Sequence, residues 1–348
     1  MTSFGMCFSR DFEGVNPLGH IGKKLPVYLR LLKLCQKEGW DVYVLTRKTY
    51  KGGGNFGGAW LFKDGKFEKV NNLIKVDLVF DWVGNLMFPP RNNNKLKVVN
   101  SREFKELCWN KWEAYQKLED YMPETYWVGN LNNTQRFVGK VKTENIVLKP
   151  YNGLQGKDVF IGPKEKVKDF RPERPGRKYI LQEFVDTSRG IPNLTPGKHD
   201  LRVVIINNKV VWSHIRVPAK GKMLANRAQG GALTEIDYQK VPESVKKIVK
   251  VVSQKFYNSI QEHSAIHCGD ELNADMSSSF GGIPRSLERG GCHKEYDNPV
   301  FSIDFGIDQK GKPWVFEIND QIGFPRWEMK NRDVFLKALV ENFRSKII

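Results

Sequence analysis

Two apolar runs, Leu201-Arg-Val-Val-Ile-Ile206 and Val210-Val-Trp-Ser-His-Ile-Arg216, are separated only by Asn207-Asn208-Lys209. Asparagine tolerates the left-handed backbone of a tight reversal, so the runs are predicted to fold back as an antiparallel hairpin. A lone hairpin cannot shield its own apolar face. Partners are at hand: Thr125-Tyr-Trp-Val128, Asn145-Ile-Val-Leu-Lys149, Val159-Phe-Ile161 and Tyr179–Val185 precede it, and Phe301-Ser-Ile-Asp-Phe305 and Trp314-Val-Phe-Glu-Ile318 follow. From Thr125 onward the chain is therefore predicted to build antiparallel sheets. An amphipathic helix over 241–262, with Val245, Ile248, Val252 and Phe256 on one face, and a last helix from about Arg332 would cover them.

The first hundred residues have another texture. A strand over 4–8 leads to a helix over 25–38, with Leu25, Leu29, Leu32 and Cys35 at helical spacing, and then to a buried strand at Asp41–Leu45. Strand, helix, strand in that order predicts an α/β lobe with parallel strands. Asp77–Phe80 and Val98-Val99 add two strands, and Trp60–Phe62 and Lys66–Glu68 a hairpin turning at Asp64-Gly65. The glycine run Lys51–Gly58 lacks the strand–loop–helix frame and the GK[ST] ending of a phosphate loop, so it is expected to be a hairpin approach or a lid. A helix from the Ser101 cap to about Tyr121 stops at Pro123. The fold class is thus α/β and α+β: an N-terminal parallel-sheet lobe at 1–100, then lobes at 101–186 and 187–348.

Charge narrows the partners. With 56 Lys and Arg against 39 Asp and Glu, the formal net charge is +17, which suits nucleotide phosphates, acidic peptides or nucleic acid. The basic residues are dispersed, with no zinc-finger spacing or RNA-binding aromatic signature, so nucleic acid is the minor reading. No run approaches the length of a membrane helix, and the first residues lack a signal-peptide layout. A cytoplasmic protein is expected, with no membrane partner. The five cysteines are an odd number at irregular spacing, which argues against a disulfide framework.

Three groups of residues carry chemistry. Lys149 ends a predicted strand and meets Gly153-Leu-Gln-Gly156, where backbone N–H groups can converge on phosphate oxygens beside a point charge. Taken alone, the same pattern fits a plain hairpin. Asp304 lies on one strand of a second hairpin, and Glu317 and Asn319 lie two apart on the next. Two carboxylates and an amide oxygen on one face suit Mg²⁺ bridging nucleotide phosphates, or form a solvated polar face. Arg202 and Arg216, with Asn226 and Gly230-Gly231 beyond, suit phosphoryl and carboxylate oxygens, although a single arginine is more often a surface ion pair. Residues 263–299, without periodicity, are read as a long loop or insertion. It holds His263, His267, Cys268, Cys292 and His293, yet their spacing matches no standard zinc module. An ordinary reduced loop is therefore expected over a structural zinc site.

In order, the chain offers Asn110-Lys111, Val147-Leu-Lys149, the Gly153–Gly156 loop, Leu181–Val185, Asp200-Leu-Arg202, Arg216, Asn226 with Gly230-Gly231, Asp304 and Glu317-Ile-Asn319. This series, across roughly residues 101–325, resembles the ATP-grasp superfamily, in particular its ribosomal-protein glutamate ligase and glutathione synthetase branch. The resemblance implies a pre-ATP-grasp lobe and then two lobes clasping ATP. It implies Lys111 and Lys149 on the α- and β-phosphates, Gly153, Leu154, Gln155 and Gly156 as a flap, and Gln182, Glu183, Phe184 and Val185 as an adenine hinge. Asp186 would reach the ribose. Arg202, Arg216 and Asn226 would serve the transferred phosphoryl group and the acceptor, and Asp304, Glu317 and Asn319 would hold Mg²⁺ or Mn²⁺. The implied activity joins a carboxylate to an amine through an acyl-phosphate, releasing ADP and phosphate. The substrates would be anionic small molecules or peptides, and the chain could be a homo-oligomer. Two departures stand out: Asn319 runs into Asp320-Gln-Ile-Gly-Phe-Pro325 where relatives commonly have a Pro-Gly turn, and 263–299 stretches a usually short connection. A small-molecule kinase on the same fold and a non-catalytic nucleotide-binding module remain as alternatives.

Overall fold

The computed structural model describes residues 2–10, 16–84, 86–88, 96–153, 156–219, 221, 231–270 and 299–347. The N-terminal part contains β1 (Ser3–Phe8), α1 (Leu25–Lys37), β2 (Asp41–Thr46), β3 (Tyr50–Gly52), β4 (Asn55–Lys63), β5 (Lys66–Lys75), β6 (Leu78–Trp82) and β7 (Lys97–Val99). They form one sheet in the order β3-β4-β2-β1-β6-β7, with β5 also paired to β4. The sheet is mixed, with the expected parallel strands at its centre and the expected 60–68 hairpin on one side. Strands β2, β1, β6 and β7 are parallel, while β4 runs antiparallel to β2, β3 and β5. The reason lies in the connections. Helix α1 crosses between β1 and β2, whereas the short Gly53-Gly54 and Asp64-Gly65 turns permit only antiparallel pairing. The glycine run is thus a hairpin turn. The buried stripe of α1 is Val27, Tyr28, Leu31, Leu32 and Cys35, with Leu25 and Leu29 packed partly buried at its border.

The predicted helix over 101–121 is two helices, α2 (Arg102–Trp109) and α3 (Lys111–Leu118), followed by a 3₁₀ turn. Asn110 breaks it: its side-chain oxygen accepts from the Glu113 N–H at 3.2 Å and caps α3. The Asn-x-x-Glu spacing was a legible cap signal. Next come β8 (Thr125–Gly129), α4 (Gln135–Val138), β9 (Asn145–Pro150), β10 (Phe160–Pro163) and β11 (Tyr179–Glu183), an antiparallel sheet in the order β10-β9-β11-β8. Strand β11 stops two residues short of the predicted Val185.

The last part holds β12 (Asp200–Ile206), β13 (Lys209–Val217), β14 (Ala232–Ile236), α5 (Glu243–Asp270), β15 (Val300–Ile307), β16 (Pro313–Asn319) and α6 (Arg332–Ile347). The hairpin β12–β13 turns at Asn207 and Asn208, both at positive φ. The antiparallel sheet is ordered β14-β13-β12-β15-β16, with β14 missed by the sequence reading. Helix α5 extends to Asp270, so residues 263–270 are helical rather than loop. Residues 271–298, with Cys292 and His293, and the side chains of His263, His267 and Cys268 lie outside the described residues, so the zinc reading falls there too. Cys7, Cys35 and Cys108 are buried free thiols.

Alternation on β12 decides how the layers stack. Leu201, Val203 and Ile205 join α2, α3 and α5 in one core. Val204 and Ile206, on the opposite face, join α1, α6 and the N-terminal sheet in another. Helix α6, last in the chain, thereby packs in the core of the first lobe, with Phe4 and Phe343 stacked at 4.8 Å. Arg202 shares the face of Val204 but lines a cavity instead of joining that core. No described helix is long and apolar enough to cross a membrane.

Candidate active site

A cavity of about 430 Å³ opens where the two antiparallel sheets face each other. Sheet register assembles one wall. Glu235, His214, Arg202, Asp304 and Glu317 stand directly opposite one another on β14, β13, β12, β15 and β16, a polar row across the whole sheet. One step along β12 and β13, Asp200 faces Arg216. Between Asp304↔Glu317 and Phe305↔Val315 the register slips by one residue, so Phe316 is a β-bulge. The bulge turns Phe316 to the cavity beside Glu317, and its ring lies over Gly306, where a Cβ would come within 2.0 Å of it.

These side chains are densely paired. Asp304 is 3% exposed. Its Oδ1 accepts from Arg202 Nε at 2.6 Å, and its Oδ2 accepts from Arg202 Nη2 at 2.6 Å, Arg216 Nη2 at 2.8 Å and Asn319 Nδ2 at 3.2 Å. Burial alone would raise its carboxyl, but the two guanidiniums hold it well below the usual carboxylate range. Arg216 also binds Asp200, whose carboxyl burial and the neighbouring Asp304 push upward. Asp200 Oδ1 is buried with no partner among the described residues. His214, at the base of the row, is held neutral by burial and by Arg202 and Arg216.

The opposite wall comes from the second sheet. Lys149 Nζ donates to Gln182 Oε1 at 2.9 Å, while Gln182 Nε2 donates to Thr125 Oγ1 at 2.8 Å. Burial pushes the Lys149 ammonium down to about 8, with Glu317 opposing and Lys111 reinforcing. Lys111 begins α3, its N–H donating to Tyr151 O at 2.9 Å. Its Nζ spans the cleft, donating to Gly153 O at 2.7 Å and lying 2.9 Å from Glu317 Oε1. The neck of the glycine loop is stapled: Arg177 donates to Asn152 Oδ1 at 3.0 Å and lies 3.5 Å from Asp158 Oδ2, and Asp158 also accepts from Arg174 Nε at 2.8 Å.

Lys111, Lys149, Gly153, Gly156, Gln182, Glu183, Phe184, Val185, Arg202, Arg216, Asp304, Glu317 and Asn319 all line this cavity. Leu154, Gln155 and Asn226 lie outside the described residues. Asp186 does not line the cavity: its oxygens accept from the Ser188 N–H at 2.9 Å and Gln309 Nε2 at 3.0 Å. Thr187 and Lys198 line it instead, with Lys157, Asp200, Phe316 and Gln321, to none of which the sequence reading gave a role. The Glu183 and Phe184 N–H groups are engaged by Glu124 O at 2.9 Å and Thr143 Oγ1 at 3.2 Å. Six lysines and arginines against four carboxylates line the cavity, a surplus of positive charge suited to a polyanion.

Asp304, Glu317 and Asn319 offer hard oxygen donors on one face, beside the unpartnered Asp200 oxygen. That set fits Mg²⁺. Among the described residues no group of three or more His, Cys, Asp or Glu is placed to hold a metal unaided. A cation here would need ligand oxygens to complete its shell, as Mg²⁺ usually does with substrate phosphates.

The family described as RimK-like ATP-grasp domain matches residues 110–256. Beta-citrylglutamate synthase B of Danio rerio is 29% identical over 145 residues, 39% of this chain and 33% of that protein. N-acetylaspartylglutamate synthase A of Homo sapiens is 27% identical over 145 residues, 39% of this chain and 34% of that protein. The chain thus spans about a third of the length of the curated relatives it matches. In fold it is similar to the VanG D-Ala:D-Ser ligase from Enterococcus faecalis, with TM-score 0.59, 11% identity and coverage of 100% and 99%. The ATP-grasp ligase PsnB, solved with a phosphomimetic variant of its minimal precursor, Mg and ADP, gives TM-score 0.54 at 14% identity over 98% of both chains. Residues 110–256 thus match a RimK-like ATP-grasp domain, and the likeness to the solved ligases is one of fold.

Proposed function

We propose that the protein is an ATP-dependent carboxylate–amine ligase that works through an acyl-phosphate and releases ADP and phosphate. The observation that carries the reading is the polar row on the five-stranded sheet, with Arg202, Arg216, Asp304, Glu317 and Asn319 on one cavity wall facing Lys111 and Lys149 on the other. In this reading the base lies between Val147, Ile161 and Phe316, against the Gln182–Val185 segment. Lys111, Lys149 and the Gly153–Gly156 loop hold the phosphates, and Asp186 has no ribose contact.

Asp304, Glu317 and Asn319 would hold Mg²⁺, which when bound neutralises phosphate charge. Arg202 and Arg216 lie past the lysines, where two guanidiniums can bind the substrate carboxylate and the developing phosphoryl charge. The carboxylate oxygen attacks the γ-phosphorus and ADP leaves. The amine then attacks the acyl carbon, and phosphate departs with that oxygen. Enclosing the site excludes water, to which an acyl-phosphate is vulnerable. Functionally the chain divides into an N-terminal lobe at 1–100 and ATP-grasp lobes at 101–186 and 187–348. The +17 charge favours anionic small molecules or acidic peptides as substrates.

The decisive experiment uses an ¹⁸O-labelled carboxylate substrate, found by scanning ADP release over amino acids and acidic peptides. One label is expected in the released phosphate, and hydroxylamine in place of the amine should yield a hydroxamate. Label retained wholly in a phosphorylated product, with no hydroxamate, would make a kinase the better reading.

A further inference from the structure

The charged groups of the cavity are one another's partners. Glu317 Oε1 is 2.9 Å from Lys111 Nζ, and Lys111 is itself 7% exposed. Both Asp304 oxygens are held by Arg202, and one of them also by Arg216. The oxygens that a hard cation would take and the cations that phosphate would take therefore neutralise each other across the cleft. A cation arriving alone at Glu317 must displace Lys111 and leave its ammonium, among the described residues, facing the Gly153 carbonyl, 2.7 Å away. A polyphosphate arriving alone at Lys111 would leave the Glu317 carboxylate without its counter-ion. Each event strands a charge in a partly buried space, whereas both together strand none.

We propose that Lys111 is a partner-exchange residue, holding Glu317 until metal and nucleotide arrive together and then passing to phosphate, so that the Lys111–Glu317 pair suppresses metal binding in the absence of nucleotide. The proposal rests on the nucleotide-site reading above and adds an opposing role for one residue. Lys111 favours the nucleotide and disfavours the lone cation. Residues that only contact phosphate would not affect the lone cation, and residues that only support the fold would weaken both ligands when removed.

The test compares the intact protein with Lys111→Met and Lys111→Arg. Mn²⁺ binding without nucleotide is read by electron paramagnetic resonance of the free ion, and Mg·ADP binding by calorimetry. Lys111→Met should bind Mn²⁺ alone about tenfold or more tighter, because Glu317 is released, and Mg·ADP about tenfold or more weaker, in the range of ordinary coupling energies. Lys111→Arg keeps the positive charge and should leave lone Mn²⁺ binding as weak as in the intact protein. Circular dichroism checks that each variant is folded. Lone-metal affinity unchanged or reduced in folded Lys111→Met overturns the exchange, even where Mg·ADP binds the intact protein normally. No Mg·ADP binding to the intact protein would instead overturn the nucleotide-site reading beneath it.

Discussion

Lys149 has the side chain whose behaviour the cavity changes most measurably. Its ammonium is half-buried between the Gln182 amide and the Phe316 carbonyl, and burial brings it to about 8 from the ordinary 10.5. Nucleotide phosphates would favour the charged form, so the group's pKa rises on binding and a proton is taken up. Affinity should be full below about pH 8 and fall as pH rises above it. Calorimetric Kd values for Mg·ADP across that range, in buffers of different ionisation enthalpy, measure both effects, and Lys149→Arg should flatten the profile. Glu317 sits opposite Asp304 on the neighbouring strand. Glu317→Gln preserves its shape and removes the charge, so a folded variant should lose turnover by about 10³-fold or more. Single-turnover ADP release checks it.

Among the elements, β16 owes its cavity face to an irregularity. An ideal strand would send Phe316 to the face opposite Glu317, and the bulge brings both to the cavity. Gly306 makes this possible, because Phe316 occupies the space a side chain would fill. Gly306→Ala must push the ring away. Overpacking of this kind costs about 1–3 kcal/mol, readable by urea unfolding, and the displaced ring should weaken nucleotide affinity at the same time. The glycine loop shows the same economy at its neck: Asp158 at φ 58 accepts from Arg174 and Arg177, and Arg177 also holds Asn152, so one short turn clasps both ends.

At the scale of the molecule, a buried charge cluster joins the N-terminal sheet to the β15–β16 hairpin. Lys105 Nζ on α2 lies 2.6 Å from Asp81 at the end of β6 and 4.0 Å from Asp320, the residue after Asn319, all nearly without exposure. Trp109 Nε1 and Asn100 Nδ2 bind Asp320 as well, at 2.9 and 3.1 Å. This network explains the departure at Asp320 from the expected Pro-Gly turn: the chain leaves β16 tied to the first lobe by a carboxylate. One ammonium serves two acids, and burial, only partly offset by Lys105, pushes Asp81 up to about 6. Lys105→Met leaves both carboxylates buried without a cation and should cost about 3–5 kcal/mol in urea unfolding. Adding Asp81→Asn and Asp320→Asn should recover most of that loss.

The sequence alone determined four of the five strands of the last sheet and the order of the candidate residues. Two-residue alternation in Leu201–Ile206 and Phe301–Phe305, and the Asn207-Asn208 turn, are local signals that neighbouring residues carry in full. The break at Asn110 was equally local, since its cap lies three residues away, and was overlooked because the apolar pattern runs on through it. Tertiary structure alone decided which charges meet. Alternation assigns Arg202 and Asp304 to faces, but which strand lies beside which sets their pairing, and 102 positions of chain separate them. The same holds for Lys111 against Glu317, for α6 closing the core of the first lobe, and for Thr187 and Lys198 lining the cavity while Asp186 turns away. Periodicity specifies the face a residue presents, and only the packed fold specifies what stands opposite it.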